Sequence, residues 1–217
     1  MVAGIDEAGR GPVIGPMVMA CVVVDERSLA FLERLGVRDS KALSPAARSR
    51  LSRSIARIAV EVRLRVVSPE EIDSAVWGVT ARNLNDLEAR VVAELIDGLK
   101  SEVSVVYLDS PDPNPARYAG VVRGYLRVKD VEIVADNKAE EKYVIVATAS
   151  ILAKVKRDAI IKELEATYGP LGSGYPSDPR TREFLVNWVR EHGSLPPIAR
   201  KSWETSKKIL SSFRRSQ

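Results

Sequence analysis

The sequence predicts an α/β domain built on an open sheet, and three observations predict it. Two short apolar runs, Val2-Ala3-Gly4-Ile5 and Val103-Ser104-Val105-Val106-Tyr107-Leu108, end in carboxylates, Asp6-Glu7 and Asp109. A buried strand that delivers charge to a loop at its C-terminal end reads this way. Between Val60 and Asp109 the order strand, helix, strand permits parallel neighbours. From about Val144 to Tyr168 runs a long helical segment whose Ala147, Ala149 and Ala153 are small enough to pack closely on a sheet. Functional groups of an open α/β sheet gather outside the carboxyl ends of its strands, so Asp6 and Asp109 become neighbours if their strands are parallel and adjacent.

The totals narrow the chemistry. The 217 residues, 45% hydrophobic and 29% charged, are enough for the core of one large domain with a small appendage. The net charge of +4 is compatible with a nucleic-acid partner and equally with a solvated basic surface. Cys21 is the only cysteine and lies in the apolar run Val18 to Val24, so no intrachain disulfide forms. His192 is the only histidine, which excludes a zinc site of the usual nitrogen and sulfur type. A metal here must be hard and held by carboxylates, magnesium or manganese. No apolar run reaches the length of a membrane span, and no basic region followed by an apolar core opens the chain. The expectation is a soluble, cytoplasmic protein.

The elements follow in order. Asp6 and Glu7 sit on opposite faces of a regular strand, so both serve one site only if the strand ends there and the chain turns. Gly9 and Gly11 allow the turn and bring backbone amides close to a phosphate or sugar, with Arg10 between them. Met17 to Val24 is a second strand, reached through Pro12 and Gly15-Pro16. A short helical stretch around Leu29 to Leu35 precedes Asp39-Ser40-Lys41, where Lys41 is placed to meet a phosphate. Ser44-Pro45 starts a helix with Leu51, Ile55 and Ile58 as its buried stripe. Val60 to Val67 alternates apolar and charged residues, a half-exposed strand and the third of an antiparallel set. Ser68-Pro69-Glu70-Glu71 is a capping box.

From Thr80 to Leu99, leucines and Val91 recur at helical spacing, and Arg82, Asp86, Glu88 and Arg90 form the polar face. The strand ending in Asp109 is stopped by Ser110-Pro111-Asp112-Pro113. Val131 to Ala135 is a further strand, and the acids that follow it, Asp136, Glu140 and Glu141, sit beside the strand ends. At least one is a candidate fourth ligand. Gly169 to Pro179 is the longest turn-rich segment, and its Tyr175 either stacks on a base or sugar or packs within the loop. Asp178-Pro179 starts a helix with Phe184, Leu185, Trp188 and Val189 on one face. The last segment is a basic helical tail that Trp203 docks, with Arg200-Lys201, Lys207-Lys208 and Arg214-Arg215 placed to track a phosphate backbone. The economical division is a catalytic domain over 1–168 and a helical extension over 169–217.

Five blocks in order, Asp6-Glu7-Ala8-Gly9-Arg10-Gly11-Pro12, Asp39-Ser40-Lys41, Tyr107-Leu108-Asp109, Ala149-Ser150-Ile151-Leu152-Ala153-Lys154-Val155 and Gly172-Ser173-Gly174-Tyr175-Pro176, resemble ribonuclease HII in its archaeal form. The resemblance implies an RNase H-like fold, a mixed five-stranded sheet with three antiparallel strands first, flanked by helices and followed by a helical C-terminal extension. It implies a metal-dependent endoribonuclease, a type 2 ribonuclease H. Such an enzyme hydrolyses the RNA strand of RNA/DNA hybrids and cuts 5′ to single ribonucleotides in duplex DNA, leaving 3′-hydroxyl and 5′-phosphate ends. It further implies two Mg2+ or Mn2+ ions with substrate, a role in ribonucleotide excision during DNA replication and repair, and action as a monomer.

By that resemblance Asp6, Glu7 and Asp109 are catalytic metal ligands. Gly9, Arg10 and Gly11 contact the ribonucleotide 2′-hydroxyl, Tyr175 senses the junction from RNA to DNA, and Lys41 and Ser150 join the substrate-binding set. The fourth carboxylate departs from the family pattern, because Lys138-Ala139-Glu140 carries glutamate where the family has aspartate. The spacing to Tyr143 favours Glu140, with Asp136 the rival.

Overall fold

The protein is described by a computed structural model over residues 1–38, 43–128 and 130–215. In chain order the elements are β1 (Val2–Ala8), β2 (Met17–Val24), α1 (Leu29–Arg34), α2 (Pro45–Ile58), β3 (Glu61–Val67), α3 (Pro69–Val76) and α4 (Leu84–Asp97). They continue with β4 (Val105–Asp109), α5 (Pro115–Tyr125), β5 (Glu132–Asp136), α6 (Ala139–Lys142), α7 (Val144–Tyr168), α8 (Pro179–His192) and α9 (Glu204–Arg215). The chain divides into two compact units that interleave in sequence.

The first unit comprises Met1–Ala8, Val18–Arg65 and Asn85–Lys156. It holds most of the five-stranded sheet, ordered β3-β2-β1-β4-β5. β1 runs antiparallel to β2 and parallel to β4, and β4 runs parallel to β5. The mixed sheet with flanking helices is the RNase H-like architecture. Every residue of β2 is buried, as a continuous apolar run with both faces covered must be. Cys21 lies in that strand, and burial pushes its thiol up to about 12. The start of α7 crosses β1 at Gly4, where a Cβ would stand 2.5 Å from the Ile145 carbonyl. Only glycine fits that crossing.

Two sequence expectations invert in this unit. In β3 the apolar Val62, Leu64 and Val66 are exposed, while Arg63 and Arg65 are half-buried. The alternation is real, but its charged side is turned inward: Arg65 faces Glu94 of α4 at 3.5 Å. On α4 the expected polar face is partly core, because Asp86 and Glu88 are buried. Asp86 tolerates burial by accepting from the Tyr125 hydroxyl at 2.8 Å and from Arg90 at 3.0 Å.

The second unit comprises Gly9–Met17, Val66–Leu84 and Arg157–Gln217. Its core is Val13, Ile14, Leu171, Leu185, Val189, Leu195, Ile198 and Ala199, with Phe184, Trp203, Ile209 and Phe213 packed against it. α3 opens with the expected capping box, Ser68 and Glu71 bonding each other's amides at 3.1 and 2.9 Å. α8 is capped by Asp178, which accepts from Arg180 N at 3.0 Å and from Ser173 N at 2.7 Å. These bonds hold its carboxyl down at about 2.

Candidate metal centre and substrate loop

The parallel pairing of β1 with β4 stops at Ile5 and Leu108, whereas β1 stays paired with β2 through Ala8. The turn expected at Glu7 is therefore absent, and the opening lies between β1 and β4, whose pairing ends while β1 stays paired with β2 and β4 with β5. Asp6, Glu7 and Asp109 sit just past the last parallel pair, and one carboxylate oxygen from each lies within 4.8 Å of the others. The Asp6 carboxylate folds back to accept the Glu7 amide at 2.8 Å, which lets neighbours on a strand converge.

Glu140 reaches this cluster because the chain reverses sharply after β5. Asn137 donates its side-chain amide to the Ser110 and Asp112 carbonyls at 3.0 and 2.8 Å. Lys138 then takes a left-handed conformation, φ 54, and α6 begins. Glu140 is hydrogen-bonded to Asp109 and raises the pKa of both Asp109 and Asp6 by its charge. The rival, Asp136, pairs with Asp109 in the strand register, but its carboxylate is bound by Lys142, which holds it below the usual range. The structure thus sets Glu140 against Asp109, outside the trio of converging carboxylate oxygens, and gives Asp136 a lysine.

Burial, then the Glu140 charge, raises Asp6 to about 6; the Ser150 hydroxyl, the Glu7 amide and Lys154 work against that rise. Burial, then the charges of Asp6 and Glu140, raises Asp109 to about 7 against the Ala139 amide. Carboxyls that retain protons near neutrality because they crowd together are a donor set suited to a hard divalent cation. The residues fit a divalent cation held by carboxylates.

Ser150, expected to bind substrate, is buried in α7 with its hydroxyl on Asp6 and on the Lys154 ammonium at 2.8 Å. Lys154 was not singled out by sequence; its position one helical turn beyond Ser150 is the signal that would have found it.

In the second unit Gly9 has φ +87, and the Arg157 side chain and Pro16 carbonyl occupy the space a Cβ would need. Gly174 accepts from Val13 N at 2.8 Å and Ile14 N at 3.2 Å. Tyr175 is 44% exposed, its ring 3.5 Å from a Cβ built on Gly11. Arg200 is corrected from a phosphate-tracking surface residue to a buried one: its guanidinium donates to the carbonyls of Gly9, Arg10 and Gly15. Trp203 donates its indole N–H to Gly11 O at 3.0 Å and lies 4.9 Å from the Arg200 guanidinium. Asp39, Ser40 and Lys41 lie outside the described residues. No helix among the described residues is long and apolar enough to cross a membrane.

Comparison with known proteins identifies the family and the fold. The family model described as ribonuclease HII matches residues 3–206. Ribonuclease HII of Thermofilum pendens is 57% identical over 210 residues, covering 96% of this chain and 98% of the relative. The crystal structure of ribonuclease H2 from Pyrococcus horikoshii OT3 superposes with a TM-score of 0.92 at 42% identity, covering 99% of both chains. The Archaeoglobus fulgidus RNase HII solved in complex with PCNA gives a TM-score of 0.85 at 41% identity, covering 96% of each chain.

Proposed function

Because this chain belongs to the ribonuclease HII family, metal-dependent endoribonucleases with RNase H activity on RNA/DNA hybrids, we propose that it also cuts duplex DNA 5′ to a single embedded ribonucleotide. The observation that carries the reading is the convergence of Asp6, Glu7 and Asp109 at the open end of the β1/β4 pair, with Glu140 bonded to Asp109.

Asp6, Glu7, Asp109 and Glu140 are the ligands in this reading. Two divalent ions, magnesium or manganese, would supply an activated water on one side of phosphorus and stabilise the leaving 3′-oxygen on the other. The residues themselves hold and orient. Ser150 and Lys154 fix Asp6 and oppose the rise in its pKa, and the Ala139 amide does the same for Asp109. The Gly9-Arg10-Gly11 loop takes the sugar carrying the 2′-hydroxyl. Tyr175, exposed on a turn, stacks at the junction where ribose gives way to deoxyribose. The products are a 3′-hydroxyl and a 5′-phosphate, with the ribonucleotide on the downstream fragment. The enzyme acts as a monomer, with catalysis in residues 1–168 and 169–217 contributing to substrate binding.

The test is cleavage of duplex DNA carrying one ribonucleotide, with magnesium, manganese or chelator, mapping the cut ends. A metal-dependent cut immediately 5′ to the ribonucleotide is expected. Cleavage of a long hybrid without that cut overturns the role given to Tyr175 and the single-ribonucleotide specificity.

A further inference from the structure

Arg200 is the largest fully buried side chain among the described residues, and its guanidinium is aimed at main-chain carbonyls. Instead Nη1 donates to Arg10 O at 2.7 Å, Nη2 to Gly9 O and Nε to Gly15 O at 3.1 Å, so one planar fork gathers three carbonyls of a single loop. A charge taken out of water is retained only where such bonds replace its hydration. The position of the fork is itself fixed. Arg200 N donates to Val13 O at 2.8 Å, and Asp73 accepts the amides of Lys201 and Ser202, both at 2.8 Å.

The consequence lies in the peptide planes. In a trans peptide the C=O and the following N–H point in opposite directions. Carbonyls of Gly9 and Arg10 turned onto Arg200 therefore turn the N–H groups of Arg10 and Gly11 the other way. Trp203 holds the next carbonyl, Gly11 O, at 3.0 Å, and Pro12 after it has no N–H. The loop is thus sorted into a face of carbonyls bound by Arg200 and Trp203 and an opposite face of two consecutive amides. Two adjacent amides fixed in orientation are hydrogen-bond donors for a sugar hydroxyl or a phosphate oxygen.

We propose that Arg200 and Trp203 are positioning residues for ribonucleotide specificity: by clamping the carbonyls of Gly9, Arg10, Gly15 and Gly11 they preset the loop amides that distinguish ribose from deoxyribose. This rests on the reading above that the Gly9 to Gly11 loop takes the 2′-hydroxyl. A surface role would require exposure that Arg200 lacks, and a packing role would not require a guanidinium aimed at three carbonyls of one loop.

The experiment compares binding of two duplexes of the same sequence, one carrying a single ribonucleotide and one all DNA. Binding is read by fluorescence anisotropy in chelator so that no strand is cut. Wild type is expected to prefer the ribonucleotide duplex. Arg200→Lys and Trp203→Phe are expected to lower that preference about tenfold, about one hydrogen bond's worth of discrimination, with affinity for the all-DNA duplex unchanged. Trp203→Phe keeps an aromatic ring beside Arg200 while removing the indole N–H, so it tests the clamp even if Arg200→Lys folds poorly. Preference retained in both variants, or both duplexes weakened equally, overturns the clamp while leaving the loop's role intact. No preference in wild type overturns the loop's role, and the clamp with it.

Discussion

Ala139 donates its main-chain N–H to the Asp109 carboxylate at 2.7 Å. That bond joins the first residue of α6 to the last residue of β4, and so fixes where the next residue, Glu140, stands relative to Asp109. A carboxylate four strands' worth of sequence away from Asp6 is tied to Asp109 through this backbone contact.

The fourth carboxylate is tested by three substitutions. Glu140→Gln is expected to lower hybrid cleavage by about a hundredfold or more, the scale on which altered metal-binding side chains act. Asp136→Asn should leave the rate within about threefold, since it loses only a half-exposed pair with Lys142. Glu140→Asp, one methylene shorter, is expected to keep activity within about tenfold. Single-turnover cleavage in magnesium and in manganese reads all three.

The metal-free protein should lose stability as pH rises. Asp6 at about 6 and Asp109 at about 7 both stand above the ordinary 3.8, so the folded state binds their protons more tightly than the unfolded state. Their contribution is full below about pH 4 and is lost as pH passes through 6 and 7. Thermal melts in chelator should therefore fall between about pH 4.5 and 7.5. Asp109→Asn should flatten that fall, and magnesium or manganese should raise the melting temperature most at the alkaline end, with protons released on binding.

Lys154→Met removes a charge that lowers the Asp6 pKa while keeping the length of the side chain. Asp6 then holds its proton to higher pH. At about pH 7 the magnesium concentration for half-maximal cleavage should rise about tenfold, and the difference should shrink toward pH 9. An equal loss at every pH would refute the electrostatic role of Lys154.

Gly4→Ala places a methyl 2.5 Å from the Ile145 carbonyl carbon and oxygen, both backbone atoms that cannot swing aside. It should destabilise the protein by roughly 2–4 kcal/mol in denaturant unfolding, since α7 must lift from β1. A change below about 0.5 kcal/mol would mean the crossing is looser than described.

What the sequence made legible was whatever depends on local order. Carboxylates at the ends of apolar runs marked Asp6 and Asp109, and the parallel β1/β4 pair then made them neighbours. Helix starts at Ser44, Ser68 and Asp178 were readable because a cap bonds only a few residues ahead. The inward face of β3 was not legible, because periodicity tells that a strand has two faces and not which is covered; the answer lies with Glu94, about thirty residues on. Arg200 was misread for the same reason. A basic pair in a basic helical tail looks solvated until the Gly9 to Gly15 carbonyls, some 190 residues earlier, are folded around Arg200.

The pairing of Val2 with Val105 also sets a timetable. β1 is synthesised more than 100 residues ahead of its parallel partner, and Glu140 comes later still. Contacts of such separation form slowly, after local helices and the β1/β2 pair. A nascent chain that ends before β4 carries Asp6 and Glu7 without the strand that sets Asp109 beside them, so the trio of carboxylates assembles only after residue 109 has been made.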